Sequence, residues 1–251
     1  MPKARLRYLG YQIALAIPAA ICAVAAAQAV PVSRTHVRLL SAGVIVFIWL
    51  LGSSRLKSWF FGPHLRQRLR DGFFDEVAEL YAPAYAIAKS EAARVRMALL
   101  LSVCDLERGR AAAALGWLDK IPEERLDALA RGMLLTQRAR ALAGRPGGPD
   151  PEALPVAERA VELSRGTPNE VAALTARGVA QLAAGELAAA VADLEKAASL
   201  VAEAGNEVPY LAAARARYLG EAYRRLGRED DALAAYARAA SYPRRIPAAR
   251  L

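Results

Sequence analysis

The sequence predicts an all-α protein in which an N-terminal transmembrane helical hairpin precedes an α-solenoid of about four helix pairs. Three observations lead to this fold class. The first 70 residues hold ten Lys or Arg, no Asp or Glu, and two long apolar runs. Beyond them, glycine recurs between Ala/Leu-rich segments, as it does at helix ends. No stretch of useful length shows the apolar/polar alternation of a strand.

The two apolar runs are residues 8–33 and 39–54. The first has 26 uncharged residues, enough for a spanning helix of about 20. The second has 16, or about 24 Å of helix, and Arg38 and Arg55 at its ends can snorkel towards the interfaces. Because only five residues separate the runs, we expect a tight hairpin with two transmembrane helices as a membrane anchor over residues 1–62.

The distribution of Lys and Arg predicts the orientation of the hairpin. Three basic residues precede the first run, two lie between the runs and five follow the second. The positive-inside rule therefore places both termini and the helix pairs in the cytoplasm, at a bacterial inner membrane. In an alternative interpretation, residues 27–29 form a signal-peptide cleavage site. The helix pairs would then lie in the periplasm only if the second run failed to span.

Residues 63–90 are predicted to be a juxtamembrane basic segment followed by a linking helix. Basic residues alternate with Leu65 and Leu69 here, and Gly72 precedes a lone helix over residues 73–88. The basic side chains can lie on anionic headgroups, or they can be an ordinary positive-inside flank. The candidate membrane-surface residues are Arg55, Lys57, Arg66, Arg68 and Arg70.

Residues 91–166 are predicted to form degenerate helix pairs. One helix begins after Ser90 and ends at Gly109, with residues 110–121 as its partner. Another runs from about Glu123 to Gly144, where the loop 145–150 interrupts the pair. A generic Ala/Leu-rich bundle is the alternative interpretation for this part of the chain.

Residues 167–246 carry the most specific pattern. Leu219-Gly220 is followed by Tyr223, and Gly227 then precedes three acidic residues, which favour the first turn of a helix. We expect Gly220 to allow a close helix approach because it has no Cβ, and Gly227 to be a left-handed cap. Gly178, Gly185, Ala190, Leu194 and Ala197 match Gly220, Gly227, Ala232, Tyr236 and Ala239, each at an offset of 42 residues.

The upstream copy is predicted to open with a capping box. Thr167 would be the N-cap, Pro168 would lie in the first turn, and Glu170 would bond back to the cap.

This pattern resembles the tetratricopeptide repeat (TPR), in which a bulky residue, Leu-Gly, Tyr, Ala and an aromatic residue recur over about 34 residues. Two departures stand out. Ala216 occupies the usual bulky site, and the offset of 42 predicts longer helices around residues 201–206. The resemblance implies a protein-binding solenoid whose first helices line a concave groove. Carried over by position, the groove candidates are Leu99, Val103, Leu134, Arg138, Thr175, Val179, Leu182, Arg217, Glu221 and Arg224.

The resemblance also implies the kind of partner. The groove would be apolar in its middle and charged at its C-terminal end, so the expected ligand is an amphipathic helix or an apolar segment of another protein. The Lys and Asn residues with which some family members clamp a C-terminal carboxylate are not present.

Composition argues against several other functions. The net charge of +9 belongs to the N-terminal segment, since the rest of the chain has 24 basic and 25 acidic residues; this favours a membrane surface over nucleic acid. With two histidines, two cysteines and no phosphate loop, the sequence predicts no enzyme, metal, cofactor or small-molecule substrate. The predicted function is a membrane-anchored scaffold or adaptor that binds partner proteins at the cytoplasmic face and supports complex assembly. Alternatively, the chain is a small integral subunit of a larger membrane complex, in which the hairpin is the working part and the repeats are structural.

Overall fold

The computed structural model describes residues 65–205 and 207–250. The predicted hairpin lies outside these residues. In the described part, no helix combines the length and apolar character that a membrane span requires. The chain divides into two compact units, Met1–Gln67 and Arg68–Leu251, and the second contains the helix pairs.

All regular structure in the described ranges is helical, with a short helical stretch at residues 65–70 and two 3₁₀ turns at Glu123–Arg125 and Pro247–Ala249. The α-helices of the second unit are α1 (Phe74–Ile87), α2 (Glu91–Glu107), α3 (Ala111–Leu118), α4 (Ala128–Ala143), α5 (Ala153–Ser164), α6 (Glu170–Ala184), α7 (Leu187–Ala204), α8 (Pro209–Arg225) and α9 (Glu229–Ala240).

Helices α2 to α9 pack as four consecutive pairs: α2 with α3, α4 with α5, α6 with α7 and α8 with α9. The first helix of each pair also contacts the first helix of the next pair, from α2 to α4, α6 and α8. Helix α1 packs on α2 in front of this stack. The second unit is therefore a TPR-like solenoid, and the prediction of about four helix pairs is confirmed.

Two glycines allow the helices of the last pairs to approach closely. A Cβ on Gly220 would lie 2.6 Å from Cε1 of Tyr236, and a Cβ on Gly178 would lie 2.7 Å from Cγ of Leu194. Real Cβ atoms do not come this close to other heavy atoms, so only glycine fits at both positions. The same contact occurs in both copies of the pattern, which confirms the alignment at an offset of 42 residues.

Several predicted helix ends are also confirmed. Ser90 caps α2 by accepting a hydrogen bond from the Ala93 backbone N–H at 3.2 Å. Gly109, Gly185 and Gly227 have φ values of 72°, 87° and 74°, the left-handed conformation that ends a helix. Helix α7 has 18 residues and α9 has 12, so the extra length predicted around residues 201–206 lies partly in a longer α7.

Two local predictions need correction. Helix α4 begins at Ala128 rather than near Glu123, because Asp127 caps it by accepting from the Ala130 N–H at 2.7 Å. Gly144 ends this helix, as predicted. The second correction concerns the capping box that was predicted for the start of α6.

Helix α6 begins at Glu170, three residues after the predicted cap. The Glu170 carboxylate accepts from the backbone N–H of Gly166 at 2.7 Å. The Thr167 hydroxyl accepts from the Asn169 N–H at 3.2 Å and donates to the Ser164 carbonyl at 2.7 Å. These bonds form a tight turn before the helix, so Thr167 shapes the turn instead of capping α6.

One buried cluster joins elements that are far apart in the sequence. It contains Phe74 and Val77 from α1, Cys104 from α2 and Tyr210 from α8, together with Ile246 from the segment after α9. We call residues 241–250 the C-terminal tail. Because the tail packs against α1 and α8, the first and last elements of the solenoid share one core.

Candidate partner-binding surface

Helix α8 presents the charged residues that the sequence predicts for the end of the groove. Arg217, Glu221 and Arg224 are spaced by four and three residues, which places them on one helix face. Other positions of α8, among them Ala213, Leu219 and Gly220, are buried against neighbouring helices. The apolar face of α8 thus fixes the helix, and the charged face remains accessible.

Two of these residues form a local ion pair. Arg224 donates to both carboxylate oxygens of Glu221, at 3.1 and 2.7 Å, and the Tyr236 hydroxyl donates to the same carboxylate at 3.2 Å. The hydrogen bond from Arg224 is the main reason why the pKa of Glu221 is lowered, so Glu221 is ionised at neutral pH. Arg217 is exposed and makes no hydrogen bond or ion pair within residues 65–205 and 207–250.

The apolar groove candidates lie inside the unit. Leu99 and Leu134 belong to one core cluster, Val103 to the cluster beneath the C-terminal tail, and Leu182 to a cluster with Tyr223. Val179 is buried as well. These side chains therefore pack between helices in this structure and offer almost no surface to a partner.

The two polar candidates upstream of α8 are also engaged. Thr175 is buried, and its hydroxyl donates to the Val171 carbonyl at 2.8 Å, a bond within α6. Arg138 is partly exposed and pairs with Asp119 at 3.4 Å and with Glu123 at 3.3 Å. Of the ten candidates, the structure gathers only Arg217, Glu221 and Arg224 into one accessible patch.

A buried ion pair between α2 and α4 was not anticipated from the sequence. Arg140 Nη2 donates to Glu107 Oε1 at 2.6 Å, and both side chains are almost completely buried. Burial is the largest single influence on the pKa of Arg140 and lowers it, but the attraction and hydrogen bond of Glu107 together with Tyr218 and Tyr210 outweigh it, so the net direction is upward. Burial also raises the pKa of the nearby Tyr210 hydroxyl. Breaking such a pair costs about 3–5 kcal/mol, because it strands a buried charge.

The C-terminal tail was missed as well. Ile246 is fully buried, and its Cγ1 would lie 2.7 Å from a Cβ on Gly72. Arg245 donates to the Asp71 carbonyl, and its guanidinium lies 4.8 Å from the centre of the Phe73 ring. An isoleucine between Pro243 and Pro247, beyond the last helix, is the signal that could have pointed to an anchored segment.

The candidate membrane-surface residues fall into three groups. Arg55 and Lys57 lie outside the described residues. Arg66 is exposed. Arg68 pairs with Glu76 at 3.2 Å and stacks 4.6 Å from the Phe73 ring centre, and Arg70 donates to the Glu207 carbonyl at 3.1 Å. Arg68 and Arg70 thus already have partners within the second unit.

Within the described ranges, no three or more His, Cys, Asp or Glu side chains come together in a group that could hold a metal ion. Cys104 is buried, and burial raises the pKa of its thiol to about 12. A thiol in this environment stays protonated and is a poor nucleophile.

Comparison with known proteins adds little. No protein-family model matches the chain, and no curated protein matches it. A solved structure, the crystal structure of Podosopora anserina putative kinesin light chain nearly identical TPR-like repeats, shares 21% identity at a TM-score of 0.45 and covers 74% of this chain and 93% of its own. A likeness this weak decides nothing about function, and the TPR-like architecture rests on the helix contacts described above.

Proposed function

We propose that the protein is a membrane-anchored scaffold that binds partner proteins at the cytoplasmic face and supports complex assembly. The observation that carries this proposal is the accessible charged face of α8, at the end of a TPR-like stack of helix pairs. In this proposal the protein is not an enzyme and has no cofactor. The anchor is residues 1–62, whose apolar runs and flanking Lys and Arg support a membrane location.

The charges of α8 favour a partner segment with at least one acidic residue. Glu221 and Arg224 largely neutralise each other, whereas Arg217 has an exposed guanidinium that a carboxylate of the partner can meet bidentately. An amphipathic helix would supply such a residue and would lay its length along α8. The buried apolar candidates do not contribute to this contact unless the helix pairs separate.

Affinity capture tests the proposal. The full chain, extracted in mild detergent, would be compared with the Arg217→Ala/Glu221→Ala variant, with bound proteins identified by mass spectrometry. We expect a specific partner to be retained several-fold less by the variant, at unchanged helicity by circular dichroism. Arg96→Ala/Glu162→Ala is the matched control, since both residues are exposed and lie on other helices. Equal capture by all three proteins would contradict the proposed surface.

The orientation has its own test. Of two reporters fused after Leu251, we expect only the one that functions in the cytoplasm to be active. Activity of a reporter that works only in the periplasm would overturn the cytoplasmic placement.

A second candidate function is favoured by the packed interior of the solenoid. With six of the ten groove candidates buried, the repeats could be structural, and the hairpin could be the working part within a larger membrane complex. Photo-crosslinking from position 20 and from position 217, in separate experiments, distinguishes the two. Capture only from position 217 supports the scaffold, and capture only from position 20 supports the membrane subunit.

A further inference from the structure

A cleft between α7, α8 and the C-terminal tail lies apart from the charged face of α8. It has a volume of about 400 Å³, which is within the range of small-molecule sites. We propose that this cleft binds a small carboxylate with a short aliphatic chain. We call it the Arg215 pocket, and its lining includes Val201, Ala202, Glu207, Arg215, Ala216 and Arg238.

The space arises where the chain departs from the repeat pattern. Ala216 lines the pocket and occupies the site where the pattern has a bulky residue. Val201 and Ala202 line it from the extended end of α7, where the offset between the two copies adds length. The small side chain of Ala216 leaves the floor of the pocket open, and the additional length of α7 forms one wall. Together they leave an opening that a regular repeat would fill.

The walls of the pocket are polar and apolar in similar proportion, and its net charge is positive. Arg215 is only 5% exposed, and its Nη2 donates to Glu207 Oε1 at 2.7 Å. This is the only hydrogen bond of its guanidinium to any residue that the structure describes. Arg238 provides a second cation, and Glu207 is the single carboxylate. The pocket therefore holds an excess of positive charge.

The ion pair between Arg215 and Glu207 leaves other guanidinium donors available to an anion. Its partner Glu207 has a side chain that is 45% exposed, and this carboxylate also accepts from the Tyr242 hydroxyl at 3.1 Å. Removal from water is the main reason why the pKa of Arg215 is lowered. A second carboxylate at the unused donors would compensate this loss of solvation, because the planar guanidinium offers five donors and can bind a carboxylate bidentately.

The same features define the ligand class. The net positive charge of the pocket favours an anion, and a short aliphatic chain fits the wall of Ala198, Ala212 and Leu219. A cationic or neutral analogue would lose the contact with Arg215. The site departs from the expectation of no small-molecule ligand. It does not rest on the proposed partner surface, since Arg217, Glu221 and Arg224 do not line it.

Equilibrium dialysis of the full chain in mild detergent against radiolabelled pentanoate tests the proposal, with empty micelles as the blank. We expect saturable binding of one pentanoate per chain. Excess unlabelled pentanoate should displace the label, and 1-pentanol or pentylamine should not. Absence of saturable binding, or equal displacement by pentanol, would overturn the proposal.

Variants locate the binding. Arg238→Gln removes an exposed cation and should weaken binding by about tenfold, and Ala202→Leu, at an exposed wall position, should abolish it by filling the cleft. Arg96→Gln, remote on α2, is the matched control and should bind as the wild type does. If Arg238→Gln and Arg96→Gln bind equally well and Ala202→Leu is without effect, pentanoate binds elsewhere and the assignment is wrong.

The carboxylate could come from a free acid or from the C-terminus of a peptide. A tripeptide ending in valine distinguishes these sources when compared with its C-terminal amide. Tighter binding than pentanoate, lost on amidation, identifies a peptide end as the source. Binding no tighter than that of pentanoate identifies a free acid.

Discussion

At the scale of single residues, the glycines between paired helices leave the least tolerance for change. We expect Gly220→Ala to destabilise the protein by about 1–3 kcal/mol, because the new Cβ would lie 2.6 Å from the Tyr236 ring. The free energy of unfolding, measured by urea titration with circular dichroism, checks this.

Gly116→Ala is the control for helix propensity. Gly116 lies within α3, and no heavy atom comes within 4 Å of a Cβ placed there. We expect this change to stabilise the protein by about 0.5–1 kcal/mol. If both substitutions shifted stability in the same direction, the close approach at Gly220 would not be what selects glycine.

Cys104 gives a second prediction at the residue scale. Burial raises the pKa of its thiol from 9.0 to about 12, so at pH 8 we expect about a thousandfold less thiolate than for an unshifted thiol. In a Cys22→Ser background, iodoacetamide should alkylate Cys104 only in denaturant. Labelling of the folded protein at the rate of an exposed cysteine would contradict this placement.

Single residues also show how much of the structure could be predicted from the sequence. Gly178 and Gly220 were identified because close packing selects for a missing Cβ, and the same residue recurs at a fixed offset. Glu107 and Arg140 were not, because a buried ion pair and a solvated one have the same residue types. Leu134 and Val179 match groove positions in the pattern, but burial depends on helices that the pattern does not specify.

At the scale of elements, the C-terminal tail stabilises the solenoid although it contains no α-helix. Ile246→Ala removes a fully buried side chain from the cluster with Phe74 and Tyr210. We expect a loss of about 2–5 kcal/mol in the free energy of unfolding. Thermal or urea unfolding of the full chain measures it.

Leu233→Ala is the matched control, since this leucine on α9 is 65% exposed. We expect it to change stability by less than about 0.5 kcal/mol. Comparable losses from the two variants would show that the tail does not pack as described.

Helix ends were predicted from the sequence at Gly109, Gly185 and Gly227, where glycine has a left-handed conformation. The start of α4 and the turn before α6 were not. In both places a side chain accepts a hydrogen bond from a free backbone N–H, and another residue nearby could have accepted it instead. At α4, for example, Asp127 accepts from the Ala130 N–H. The tail escaped prediction because its burial depends on α1, about 170 residues earlier in the chain.

At the scale of the whole second unit, the shared core of first and last elements predicts cooperative unfolding. Open repeat arrays bury surface only between neighbours and can lose their terminal repeats first. Here α1 and α8 belong to one cluster. In hydrogen exchange with mass spectrometry, we expect peptides from α1 and α8 to lose protection at the same urea concentration.

Exchange of α1 at low urea, with α8 still protected, would contradict this expectation. Ile246→Ala is the internal check, because it should lower the midpoint for α1 and α8 together.

The contact between the tail and the start of the unit also has a mechanical consequence. Arg245 bonds to the backbone of Asp71, and Ile246 packs against Gly72. A pulling force applied between residues 71 and 245 would therefore load this contact before any helix pair. The helix stack would extend only after this contact had broken. The rupture force of the contact would therefore set the force below which the unit keeps its length.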